Sequence, residues 1–155
     1  MLTAEAMSNL SDLSKLSKVL NEESNKVNEI LLDFEKTLVA KNLGVEAWVE
    51  LSSEPYVEGD EGEIQCSSDI ALGFDESHLL IKTIDYVEEV GNYGQYHWKK
   101  RQEYGIKPLL KASREIRVKA LEKLKELLDA LMAEGNNVLK AIEKGRKTVD
   151  NLKAD

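Results

Sequence analysis

The residues best equipped for chemistry lie in one stretch, YGQYHWKKRQEYG at 93–105, where Tyr96 and Trp98 stand among Lys99, Lys100 and Arg101. On a strand, that mixture offers stacking surfaces beside cations, which suits a planar anionic ligand or single-stranded nucleic acid. A purely structural use fits the same residues: the aromatics pack under a helix while the cations face water or pair with neighbouring acid. A little further on, Ser113, Arg114 and Arg117 fall close together on a helix. Two guanidinium groups three positions apart can grip one carboxylate or phosphate, or clamp a helix to an acidic sheet by bidentate pairing. Tyr96, Trp98, Lys99, Lys100, Arg101, Arg114 and Arg117 are therefore the candidate ligand-binding set. The spacing Gly91-x-x-Gly94 is too short a pattern to add a phosphate clamp to it.

Other chemistries find less support. The single cysteine, Cys66, falls on the predicted inward face of a strand, where a thiol behaves as a small hydrophobe. As a nucleophile it needs a base, and His78 serves only if the turn at 75–77 sets the two residues opposite each other. Glu54, Glu58, Asp60, Glu61 and Glu63 gather carboxylates but lack the D-x-[DN]-x-[DN]-G ladder of a calcium loop, and read as a solvated hairpin. One cysteine and two histidines make no zinc spacing. No nucleophile elbow, Walker loop, H-E-x-x-H or dinucleotide fingerprint occurs. The sequence thus predicts no catalytic residue, no metal and no cofactor, with a small hydrolase-type enzyme built on Cys66 or Ser113 as the most remote reading.

Charge narrows the partners. The net −8 disfavours a general nucleic-acid binder, because phosphate backbones repel such a field. Residues 45–96 carry 13 Asp/Glu against the single Lys82, whereas residues 97–125 carry 10 Lys/Arg against 3 Glu. Acid therefore sits on the middle of the chain and base on the start of its last third, an arrangement that favours internal or subunit pairing.

These residues need elements to hold them. Between 9 and 41, Leu13, Leu16, Leu20, Val27, Ile30 and Phe34 recur at helical spacing, so a helix is expected whose apolar stripe is core. Asn21 followed by Glu22 and Glu23 predicts a break or bend, and Asn42 and Gly44 a left-handed C-terminal cap. From Val45 the period drops to two: Val45, Ala47, Val49 and Leu51 share one face, with Glu46, Trp48 and Glu50 on the other. Residues 52–63 read as an exposed hairpin loop, and a second strand runs from Ile64 to Phe74. Asp75-Glu76-Ser77 makes a tight connection to a third strand over 78–87 with apolar residues on both faces, as an inner strand has. A candidate fourth strand follows around Tyr96 to Arg101.

Pro108 suits the first turn of a closing helix. From Leu121 onward a heptad register passes through Leu124, Leu128, Leu131, Val138, Ile142, Val149 and Leu152, with Gly135 and Gly145 in phase. A continuous helix of about 45 residues reaches roughly 65 Å at about 1.5 Å per residue, far beyond the radius of a domain this size. Such helices either break at Asn21 and Gly135, or pair as an antiparallel arm within the chain or with a second copy.

The expected architecture is one α+β domain over 1–155: a helical segment at 1–43, an antiparallel β-meander of three to four strands at 44–104, and a helical segment at 107–155 with a coiled-coil-like register. No apolar run reaches membrane-spanning length, and residues 1–15 lack a signal peptide's basic and apolar regions, so a cytoplasmic location is expected. The functional expectation is a non-enzymatic interaction or regulatory protein whose partner is another protein or a second copy of itself, bound through its helices.

Overall fold

The computed structural model describes residues 1–58, 64–90 and 97–154. Helix α1 (Ala4–Lys41) leads into strands β1 (Ala47–Glu58), β2 (Ile64–Phe74), β3 (Leu79–Val90) and β4 (His97–Pro108), and a 3-10 turn at Leu109–Lys111 precedes helix α2 (Arg114–Lys153). The strands form one antiparallel sheet in the order β1-β2-β3-β4, the expected meander between two long helices.

Local chemistry sets most boundaries. The Thr3 hydroxyl accepts from Ala6 N–H at 3.1 Å to cap α1, and Asn42 closes the helix in the left-handed conformation with φ 50. In the β2–β3 turn, one Asp75 carboxylate oxygen accepts from the backbone N–H of Ser77 at 3.1 Å and of His78 at 2.8 Å. Ser113 caps α2 by accepting from Ile116 N–H.

Four expectations need correction. Residues 52–58 continue β1 instead of looping, with Pro55 opposite Ser67. Proline is tolerated there because β1 is an edge strand and its outer N–H groups have no neighbour to bond. Pro108 ends β4 and precedes the short 3-10 turn, while the long closing helix begins only at Arg114. Neither helix breaks at Asn21 or Gly135: α1 and α2 run unbroken through both. The helices also do not fold into an antiparallel hairpin. Arg114 at the start of α2 hydrogen-bonds Asn21, Arg117 bonds Asn28, and Leu131 meets the segment just past the end of α1. Contacts advance together along both helices, so the two run in the same sense.

The core lies where these helices meet the near end of the sheet. Leu31 and Leu38 of α1, Leu109 of the turn, and Ala120, Leu127 and Leu131 of α2 pack with Ala47, Leu51, Leu72, Phe74, Leu79 and Ile81. Glu35 ties α1 to the sheet by accepting from Leu79 N–H at 2.8 Å. Helix α2 follows the 3-10 turn after β4 and packs chiefly on β1, the far edge strand, and next on β2.

Candidate interaction surface

On the face of the sheet away from the helices, register places Trp48 opposite Gly73, Ala71 opposite Lys82, and Tyr86 opposite Arg101. These residues build one closed cluster. The Lys82 ammonium, only 8 % exposed as a residue, sits 3.8 Å from the centroid of the Trp48 ring and 3.1 Å from the Glu103 carboxylate. Arg101 reaches the same carboxylate oxygen at 2.5 Å and donates from Nε to the Tyr86 hydroxyl at 3.2 Å. Trp48 Nε1 donates to Glu46 at 2.6 Å. The Lys82 hydrogen bond, followed by the charges of Lys82 and Arg101, holds the Glu103 carboxyl below the ordinary glutamate range. A recess of about 280 Å³ beside the cluster is walled by Trp48, Asp69, Ile84, Tyr86 and Arg101.

The candidate ligand set is spread over several surfaces. Lys99 and Arg101 alternate onto the outer face, and Lys100 onto the face that bears the helices. Arg101 spends its guanidinium on Glu103 and Tyr86. Arg114 donates to Asn21 at 2.8 Å, and Arg117 to Asn28 and to the Ser113 carbonyl, so both arginines stitch α2 to α1. Lys99 and Lys100 are exposed, with Glu88 and Val87 as their register partners. The backbone of Trp98 pairs with Glu89, while Tyr96, Gly91 to Gly94, Asp60, Glu61 and Glu63 lie outside the described residues.

The structure does not bring Cys66 and His78 together. Cys66, 6 % exposed, lies between Tyr56 and Val87, whereas exposed His78 follows the far end of β2. Eight residues of strand separate the Cys66 level from Phe74, roughly 26 Å at about 3.3 Å per residue. Ser113 spends its hydroxyl on capping α2. Among the described residues no group of three or more His, Cys, Asp or Glu is placed to hold a metal ion, and no helix is long and apolar enough to cross a membrane.

The largest unsatisfied feature is helical. Residues 4–20 of α1 precede the level at which α2 begins, and residues 136–153 of α2 follow the level at which α1 ends. Each arm is about 25 Å long at about 1.5 Å per residue, and they project from opposite ends of the helix pair. Apart from half-buried Ala6, every residue of both arms is exposed. The first helix was expected to be core throughout, yet its buried residues, Leu31 and Leu38, lie in the second half. Leu10, Leu13, Leu16 and Leu20 stand 43–58 % exposed on the first arm, and Val138, Leu139, Ile142, Val149 and Leu152 stand 46–72 % exposed on the second. At the foot of the second arm an apolar recess of about 460 Å³ opens between Leu43, Val45, Leu131, Met132, Val138 and Ile142.

Sequence periodicity found the second stripe but misassigned the first, because a stripe at helical spacing looks the same whether the fold buries it or leaves it exposed. Of the outer cluster only Arg101 was singled out, with pairing to neighbouring acid as its structural use; the rest was missed. Its signal was available in Lys82, the one cation of an acidic segment, and in Trp48, a large aromatic on the polar face of β1. Comparison of the chain with known protein families, with characterised proteins and with solved structures finds no match.

Proposed function

We propose that this chain is a non-enzymatic interaction protein of the cytoplasm that self-associates through its helices, as an adaptor, regulator or assembly factor does. The observation that carries the reading is the pair of exposed apolar stripes on helical arms, which no other described residue buries. Contiguous exposed apolar surface marks interaction sites in proteins that stay in solution. Isolated helices of this length are marginal in water, and Gly135 and Gly145 each weaken the second arm further by roughly 1 kcal/mol relative to Ala, so packing against a partner would supply what local propensity does not.

Chemistry elsewhere in the molecule supports the same reading. Arg101, Arg114 and Arg117, three of the seven residues of the candidate ligand set, have internal partners, which removes the guanidinium groups from a shared ligand site. A buried, unpaired thiol at Cys66 suits a reducing compartment.

Sedimentation velocity of the unaltered chain between about 1 and 100 µM tests the proposal. The expected result is an oligomer that dissociates when Leu13→Glu and Ile142→Glu are introduced together, with circular dichroism showing the sheet and helices retained. A strict monomer throughout the range overturns it.

A further inference from the structure

We infer that the occupant of both arms is a second copy of this chain, in a closed twofold dimer whose first arm (residues 4–20) lies antiparallel to the second arm (136–153) of its partner. The inference rests on the self-association proposed above and specifies its geometry.

Three features of the fold point to this pairing. The arms leave opposite ends of the helix pair, so no single interface that pairs first arm with first arm also covers the second. Like-with-like contacts would need two interfaces and would build an open chain, whereas reciprocal pairing covers all four arms in one isologous interface. The arms are also matched in length, each about 25 Å at about 1.5 Å per residue, so bodies placed side by side bring foot to foot and tip to tip.

Charge follows the same alignment. Tip-to-tip pairing sets Glu5 and Asp12, the only charges of residues 4–12, beside residues 145–153, which hold Arg146, Lys147, Asp150 and Lys153. A same-sense, head-to-tail pairing would instead place Lys15 and Lys18 against that basic stretch, a stronger like-charge contact than the one they make foot to foot with residues 136–144, which hold Lys140, Glu143 and Lys144. Foot-to-foot contact brings Leu16 and Leu20 of one copy to the apolar recess at the base of the partner's second arm.

Shape agrees as well. The second arm's heptad stripe is interrupted at Gly145 and its foot at Gly135, and a side chain added at either position would meet open space. The first arm's stripe is uniformly large, so its leucines fill gaps that a pairing of two second arms would leave glycine against glycine.

Mild oxidation of cysteine variants, with native Cys66 retained because it is buried, separates the alternatives. A Leu13→Cys/Ile142→Cys double variant should form a covalent dimer, with mass spectrometry of its peptides locating the bond between position 13 of one chain and 142 of the other. Neither single variant should cross-link. Cross-linking by a single variant, a ladder of species beyond the dimer, or no cross-link in a double variant that sediments as a dimer would each overturn the pairing while leaving self-association standing. A strict monomer in sedimentation removes both.

Discussion

Trp48 lies across Gly73, and that contact makes a quantitative prediction. Gly73 sits opposite Trp48 in the β1–β2 register and opposite Leu80 in β3. A Cβ built on Gly73 would fall under 3.0 Å from three atoms of the indole ring, a separation real side chains do not tolerate. In Gly73→Ala the ring must move. It then leaves the Lys82 ammonium now 3.8 Å from its centroid, and its hydrogen bond to Glu46. Overpacking costs about 1–3 kcal/mol, and a largely desolvated cation–π contact adds up to about 2 kcal/mol, so a net loss of about 2–3 kcal/mol is expected. In a chain of this length that lowers Tm by about 5–10 °C.

The contrast with a second background isolates the cause. In Trp48→Ala the obstruction is gone, and the same Gly73→Ala change should be neutral or stabilise by about 0.5 kcal/mol, since alanine loses less backbone entropy in a strand than glycine. Urea unfolding of the four chains gives a double-mutant cycle with an expected coupling of about 2–3 kcal/mol. Equal losses in both backgrounds, to within about 0.5 kcal/mol, would refute the claim that the indole occupies the space above Gly73.

The other expectations concern charge and helix faces. Because Lys82 and Arg101 hold Glu103 below its unfolded pKa, its contribution is present above the ordinary glutamate value of 4.5 and is lost as pH falls through the lowered one. Glu103→Gln should therefore flatten the decline in stability below about pH 4.5, read from thermal melts against pH; an unchanged slope there would contradict the assignment. Leu127→Ala, at a fully buried position where α2 meets the sheet, should cost about 2–5 kcal/mol in chemical unfolding. Ile142→Ala, half exposed on the second arm, should leave unfolding of the dissociated chain within about 0.5 kcal/mol of the unaltered protein. Counted in both copies at about 1 kcal/mol each, it should weaken self-association by about 30-fold in sedimentation equilibrium.

Features decided by neighbours in sequence were legible before the structure. Asn42 as a left-handed cap, the Asp75 turn and the two-residue period of β1 each follow from one or two side chains acting on the adjacent backbone. The errors arose where a distant partner overrides a local signal. Asn21 has the composition of a helix start, but its side-chain oxygen accepts from Arg114, 93 positions away, and the helix runs on. Pro55 reads as loop until β1 is known to be an edge. Lys82 is in sequence only the single cation of an acidic segment, and its role appears once Glu103 and Trp48 are placed around it. The outer cluster could be found only once the meander's register was known, since its members come from all four strands.

Two surfaces in this chain carry apolar or aromatic side chains away from the main core, and they differ in what they leave undone. On the outer face, Trp48 covers Gly73, Lys82 covers Trp48, and Glu103 and Arg101 neutralise what remains. That face is closed upon itself. The arms show the opposite state. Beyond Gly135, α2 continues through Val138, Ile142, Val149 and Leu152 at heptad spacing without burying any of them. A stripe kept in register over that distance has no effect on a monomer's core, because Leu127 and Leu131 already complete α2's packing on the sheet. Its regularity acquires a physical consequence only when another helix lies along it. The proposed self-association therefore rests on the leucines, valines and isoleucine that the fold itself does not bury, rather than on the cations and aromatics that first suggest chemistry.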